Sequence, residues 1–328
     1  MINTMNTRGN VFREEMCMNK IEIKPRILVV GSINIDFVIK TPRIPLPGEN
    51  IFGEDFRRIF GGKGANQAVG VAQLGCEVVL SGRVGEDQFG NSVLKSLREK
   101  GVDTTYVERD SEASTGIAFI LIDKNGENSI VIAPGANGRF SLQSAAQLRK
   151  IMKTVDLVLL QLELPLDSVA KVIEIACGLD KQVVLDAGPP CKRVYPSFFN
   201  VTVLTPNKAE AEALSGQSIR NLNASRKVAR GLLSKGPQAV VLKLGEKGAV
   251  LTTANEEHYF PAYQVNVVDT TAAGDAFSAA LSVAIAKGQT FKEAVEFANA
   301  AGALATTKVG AQPSLPTQHE VETFLSSR

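Results

Sequence analysis

Six short, strongly β-branched runs recur along this chain at residues 26–33, 77–82, 157–162, 182–187, 201–206 and 239–245, each bounded by Gly or turn residues. Each reads as a buried strand. Segments of helical periodicity separate them, at residues 66–74, 92–100, 142–152, 166–179 and 224–234. Strand alternating with helix is the pattern of a mostly parallel sheet covered on both faces, so the fold class is α/β. A last pair of strands is expected near 248–253 and 257–263, followed by helices from about residue 274. Two regions, 36–60 and 114–134, break the rhythm with extended runs that have no helix between them. They predict a small antiparallel β lid over the carboxyl ends of the main strands, where open α/β sheets bind ligands. The domain reading is one α/β domain over 25–328 with that lid inserted.

Charge narrows the partners. Lys+Arg 36 against Asp+Glu 34 leaves no long-range field of the kind that non-specific nucleic-acid or anionic-membrane binding needs. Four cysteines, Cys17, Cys76, Cys177 and Cys191, show no C-x-x-C spacing, which points to reduced thiols in a cytoplasmic setting. No apolar run approaches the ~18 residues of a membrane-spanning helix. Residues 1–24 are polar, lack the apolar core of a secretory signal and carry Glu14 and Glu15, so they are expected to be a disordered leader outside the fold.

The most informative segment is Val268-Asp269-Thr270-Thr271-Ala272-Ala273-Gly274-Asp275, which opens an apolar helix. Small residues allow close approach of a ligand, and unpaired amides of Ala272, Ala273 and Gly274 at a helix N-terminus would form an anion site. A carboxylate in that same turn, Asp275, suits a base that takes a hydroxyl proton during phosphoryl transfer. It equally suits complementing the helix dipole, worth ~0.3–1 kcal/mol. Phe60-Gly61-Gly62-Lys63-Gly64-Ala65-Asn66-Gln67 also leads into a helix. It is not a P-loop, because Gly64 follows Lys63 and the earlier spaced glycine is missing, and it reads alone as a glycine-rich hinge. Gly31-Ser32-Ile33-Asn34-Ile35-Asp36 places an amide and a carboxylate at the edge of the sheet, fit either for sugar hydroxyls or for an Asx turn. The two histidines, His258 and His319, lie outside any acidic or glycine-rich cluster, and no G-x-G-x-x-G follows the first strand. A zinc or His-based hydrolase and a dinucleotide oxidoreductase are therefore disfavoured.

Taken together, these three segments resemble the PfkB family of carbohydrate kinases from about residue 26 to the C-terminus, and the ending Gly310-Ala311-Gln312-Pro313-Ser314 resembles its ribokinase branch. The resemblance implies a ribokinase-like three-layer α/β/α sandwich with a mostly parallel central sheet. It implies ATP-dependent phosphorylation of D-ribose at its 5-hydroxyl, with deoxyribose, fructose or a nucleoside as alternative acceptors. A non-catalytic sugar-binding regulator is the alternative from another class. By the same resemblance Asn34, Asp36, Gly62, Lys63, Asn66, Glu163 and Asp269 contact the sugar, and Asp275 is the base. Asn207 and Glu210 match an N-x-x-E motif that organises Mg²⁺ and phosphate through water, a pattern that also describes a helix cap with its N3 carboxylate. Lys243, Gly245 and Gly248 resemble a nucleotide loop, which could also be a plain turn, and Asn299 matches a position beside adenine. A potassium-type monovalent cation is implied near Asp269, Thr271, Ala305, Lys308, Gly310 and Ser314. The apolar lid strand at 116–121, with open edges, leads to the expectation of a homodimer through the lid.

Overall fold

The computed structural model describes residues 24–191 and 193–328, so the expected leader lies outside the described residues except for Lys24. The chain opens with β1 (Arg26–Val30), β2 (Asn34–Lys40), β3 (Glu54–Gly61), α1 (Lys63–Gln73), β4 (Glu77–Gly85), α2 (Gln88–Glu99) and β5 (Asp103–Asp110). It continues through β6 (Gly116–Ile122), β7 (Asn128–Ala133), α3 (Leu142–Gln147), α4 (Arg149–Met152), β8 (Leu157–Leu160), α5 (Leu166–Cys177) and β9 (Gln182–Leu185). The last part contains β10 (Val203–Leu204), α6 (Lys208–Ser215), α7 (Leu222–Leu233), β11 (Ala239–Lys243), β12 (Ala249–Thr253), β13 (Glu257–Phe260), α8 (Ala273–Ala286), α9 (Phe291–Ala305) and α10 (Gln318–Ser326).

Nine strands form the main sheet in the order β13-β12-β11-β10-β9-β8-β1-β4-β5, and β12 alone runs against its neighbours. The period of two in β1 sorts its side chains between two cores. Ile27 and Val29 join the layer that holds α1, α8 and α9, while Leu28 and Val30 join the layer built on α3, α5 and α7. This is the expected α/β/α sandwich. One strand escapes the sequence reading: β5, whose run Asp-Thr-Thr-Tyr-Val-Glu-Arg-Asp has no apolar stripe because it lies at the sheet edge, half covered.

The lid is a four-stranded sheet in the order β3-β2-β6-β7. Its outer pairs are antiparallel, as expected, but the central pair β2–β6 is parallel, with Asn34 opposite Gly116 and Lys40 opposite Ile122. The cause is topological. Both strands rise from the carboxyl edge of the main sheet, one soon after β1 and the other soon after β5, so they point the same way.

Helix α1 can start where it does because two backbones touch. A Cβ on Gly64 would lie 2.5 Å from the carbonyl carbon of Gly31 and 2.8 Å from the amide nitrogen of Ser32. Gly64→Ala therefore meets backbone that no rotamer can relieve, and should destabilise the protein by ~1–3 kcal/mol. Gly231→Ala, within α7 and facing open space, should instead stabilise it by ~0.5–1 kcal/mol. Denaturant unfolding of both variants checks the pair; equal midpoints would remove the backbone contact as a constraint.

Candidate active site

At the carboxyl end of β1 the chain turns into the lid, and β2 presents Asn34 and Asp36 on one face because they are two residues apart. Both are buried. Asn34 Oδ1 accepts from Asn137 Nδ2 at 2.8 Å, and Asn137 also exchanges two bonds with the backbone of Ile33. The Asp36 carboxylate lies over Gly61, where a Cβ would come within 2.0 Å of its Oδ2. That close approach explains a glycine at position 61 better than a hinge does. Gly62, with φ of 87°, then turns the chain into α1. Glu163, just after β8, accepts from the Ser32 hydroxyl and from the Lys63 amide. Asn66 donates to Asp275 Oδ2 at 2.9 Å, while its own buried Oδ1 has no partner among the described residues. A buried orphan acceptor beside three carboxylates fits a ligand rich in hydroxyl donors.

Asp275 stands in the first turn of α8, 5% exposed, with Gln67 Nε2 donating to Oδ1 at 3.0 Å and Lys63 Nζ 3.9 Å from the same oxygen. Burial opposes the charge on Lys63, but Asp275, Asp186, Glu163 and Glu210 outweigh it and hold the lysine pKa above its ordinary value. The expectation of three free amides ahead of Asp275 needs correction. Ala272 adopts a left-handed conformation (φ 60°), and this turn brings the Ala273 amide onto the Thr270 carbonyl at 3.3 Å. Among the described residues the amides of Ala272 and Gly274 have no such bond, so two of the three donors are free.

Lys63 also lines a cavity of about 380 Å³. Its lining combines charged groups, Lys63, Asp186, Glu210 and Lys243, with apolar ones, Val265, Val267, Phe277 and Ala303. Such a cleft matches a molecule with an anionic tail and a flat ring. Asn207 and Glu210 form a capping box on α6, Asn207 accepting from the Glu210 amide at 3.0 Å and Glu210 accepting from the Asn207 amide at 2.6 Å. Both also line the cavity, so the cap and the ligand readings describe the same pair. Burial pushes the Glu210 carboxyl above its usual range. Lys243 lines the cavity with its Nζ 2.8 Å from Asp186 Oδ1. Gly245 and Gly248 border the cavity too, but the space above Gly248 is taken by Phe260, whose carbonyl oxygen would lie 1.9 Å from a Cβ; the turn reading accounts for this glycine. Asn299 borders the cavity with its amide engaged on the Pro261 carbonyl at 2.8 Å.

Asp269 is expected at both the sugar and the monovalent cation. Its two oxygens accept from the amides of Thr271 and Gly310 at 2.9 and 2.8 Å, and among the described residues no hydrogen bond joins it to Asn34, Asp36 or Glu163. Burial would raise its pKa, yet those donors win and hold it below the usual range, ionised with no lysine or arginine paired to it among the described residues. The Val268 and Asp269 amides donate to the Thr306 carbonyl, bringing the segment after α9 alongside. Lys308 turns its ammonium to Glu320 at 2.6 Å, and the buried Ser314 hydroxyl donates to the Ala311 carbonyl. Among the described residues no group of three or more His, Cys, Asp or Glu side chains is arranged to hold a metal.

Sequence reasoning missed four buried polar residues behind this surface: Gln67, Gln161, Asp186 and Ser278. One signal was available. Asp186 ends an otherwise apolar strand run at the carboxyl edge of the sheet, where a charged residue needs a reason.

Asp36 supplies a test. Burial foremost, then the charges of Glu163 and Asp275, push its pKa up to about 7. Between the ordinary carboxylate value and about 7 the folded state holds a proton that the unfolded state has released, so stability falls as pH rises through this window and levels off above it. The slope is on the order of 1 kcal/mol per pH unit. Urea unfolding from pH 5 to 8 should show Asp36→Asn losing that slope; parallel curves for the two proteins would contradict it.

A family model described as pfkB family carbohydrate kinase matches residues 24–318. The chain is 36% identical over 303 residues to a ribokinase of Haemophilus influenzae, covering 92% of this chain and 99% of that protein. It is 34% identical over 301 residues to a deoxyribokinase of Salmonella typhi, covering 92% of this chain and 98% of the other. The structure of Arabidopsis thaliana ribokinase complexed with ribose and ATP superposes with a TM-score of 0.84 at 32% identity, over 92% of this chain and 99% of that one. With the match running from the first described strand into α10, this chain belongs to the PfkB family of carbohydrate kinases.

Proposed function

We propose that the chain phosphorylates D-ribose at its primary 5-hydroxyl, using ATP and releasing ribose 5-phosphate and ADP. The observation that carries this reading is the position of Asp275: a buried carboxylate bonded to Asn66, 3.9 Å from Lys63, which lines the cavity, and in the same turn as the free amides of Ala272 and Gly274. The similarity to the Haemophilus ribokinase and to the Arabidopsis ribokinase that binds ribose and ATP supports the substrate. Deoxyribose is the nearest competitor, because the Salmonella deoxyribokinase is almost as similar.

In this mechanism the sugar lies between lid and sheet, held by Asn34, Asp36, Asn66 and Glu163. ATP occupies the cavity with its ring at the apolar end and its phosphates toward Lys63, Lys243 and the Asn207–Glu210 cap. Asp275 accepts the 5-hydroxyl proton as that oxygen attacks the γ-phosphorus, and the bond from phosphorus to the β,γ-bridging oxygen breaks to release ADP. Lys63 and the amides of Ala272 and Gly274 stabilise charge on the transferred group. Mg²⁺ would be held on the phosphates near Glu210 and Asn207 through water, and supplies charge neutralisation. A monovalent cation such as K⁺ fits the ionised, cation-free Asp269 beside Thr271 and Gly310. Its electrostatic role would be to balance the carboxylate next to the amide turn.

The reduced thiols suit a cytoplasmic enzyme; Cys76, Cys177 and Cys191 form no disulfide, and among the described residues no helix is long and apolar enough to cross a membrane. Homodimerisation through the lid is supported by its exposed apolar side chains, including Phe119, Ile130 and Ile132, and by its open edge strands β3 and β7.

A coupled assay of ADP release should show ribose-dependent turnover with Mg²⁺, greater with potassium than with sodium, and weaker on deoxyribose, fructose and adenosine. Asp275→Ala should lower kcat by about 10²–10⁴-fold while ribose still binds. Unchanged turnover in that variant would remove Asp275 from the chemistry, and binding without turnover in the unaltered protein would favour a sensor. Light scattering at micromolar concentration should give a dimer that Ile130→Glu with Ile132→Glu converts to monomer; a monomer from the start would rule out the lid interface.

A further inference from the structure

Behind the pocket a chain of buried polar groups runs from Gln161 through Gln67 and Asp186 to Lys243 at the edge of the cavity. Gln67 is fully buried, and its Oε1 accepts from Gln161 Nε2 at 2.6 Å, which fixes which way its amide points. Its Nε2 therefore faces two carboxylates, donating to Asp186 Oδ2 at 2.8 Å and to Asp275 Oδ1 at 3.0 Å. A primary amide has two N–H donors, and both are spent. Asp186, 1% exposed, also accepts from Ser278 Oγ at 2.9 Å on Oδ2 and from Lys243 Nζ at 2.8 Å on Oδ1. Lys243 makes a longer contact to Ser278 Oγ at 3.4 Å and lines the phosphate end of the cavity. Its ammonium carries three donors, so one remains for a ligand.

We propose that Asp186 is a positioning residue that ties the two halves of the cleft together: through the Gln67 amide it orients the Asp275 carboxylate, and through its ion pair it aims Lys243 at the nucleotide phosphates. The inference rests on the kinase reading for its effect on turnover. Asp186 borders the cavity but is 1% exposed, and its two oxygens are taken up by Gln67, Ser278 and Lys243, so it acts through these two arms. Two carboxylates side by side repel, and here a neutral double donor separates them while Lys243 balances the rear one. Burial alone would raise the Asp186 pKa; the Lys243 and Lys63 charges with the bonds from Lys243 and Ser278 outweigh burial and hold it down, which keeps it an acceptor for every one of its donors.

The arms give separable kinetics. Gln67→Leu should lower kcat at least 10-fold with the KM for ATP within threefold of the unaltered enzyme, and Lys243→Met should raise the KM for ATP at least 10-fold with a smaller change in kcat. Asp186→Asn keeps the shape but sets an N–H against a donor, so it should show both defects. Combining it with Gln67→Leu should lower kcat little further, because the two changes cut the same connection. If Asp186→Asn folds poorly, Asp186→Asn with Lys243→Met removes both charges and leaves no buried ammonium unpaired. Full kcat in Gln67→Leu, or kcat losses that multiply in the combined variant, would overturn the inference. The unaltered protein is the control on the kinase reading: if no sugar supports ADP release, that reading fails by itself. The Lys243 arm is then judged by calorimetric titration with ATP, where affinity unchanged in Lys243→Met and Asp186→Asn overturns it and a loss of 10-fold or more in both sustains it.

Discussion

Lys63 carries its charge among carboxylates drawn from four separate parts of the chain, Glu163, Asp186, Glu210 and Asp275. Left to themselves, those groups would repel one another in a region of low dielectric and would take up protons. The ammonium is what allows them to share one edge of the sheet. Its position is in turn fixed by the first turn of α1, which reaches the end of β1 only because Gly31 and Gly64 have no side chains to keep the backbones apart. The polar pocket under the lid and the cavity thus depend on the same residue: Lys63 stands beside Asp275 and also lines the cavity.

What could be read beforehand follows from how local the information is. Strands such as β1 and β8 announce themselves because both faces are buried and nearly every side chain is apolar. β5 does not, because an edge strand needs no such run. Asp275 and Lys63 sit in glycine- and alanine-rich turns whose composition is itself a signal. Gln67 and Asp186 are different. One is an ordinary polar residue on a helix and the other ends a strand, and only the packing of α1 and α8 against that strand turns them into partners. Asp269 lies in a legible segment, but its carboxylate is oriented by the amide of Gly310, forty-one residues away, which no local pattern announces.

Asn207 and Glu210 show why structural and functional readings need not compete. A capping box satisfies the first amides of α6 and by doing so freezes both side chains. A carboxylate frozen in the wall of the cavity has little rotamer freedom left to lose on binding a ligand.

The parallel pairing of β2 with β6 bears on mechanics. All four passages between lid and body, before β2, after β3, before β6 and after β7, fall at the same end of the lid strands, the end marked by Asn34, Gly61, Gly116 and Ala133. The lid is in effect a flap sewn along one hem. Its free margin, at Lys40 and Ile122, lies six residues away, roughly 20 Å at ~3.3 Å per residue. A rotation about the hem sweeps that margin through about three times the arc travelled by Asp36, which lies two residues from the seam. The mouth of the pocket can therefore open widely while Asn34 and Asp36 barely leave their stations.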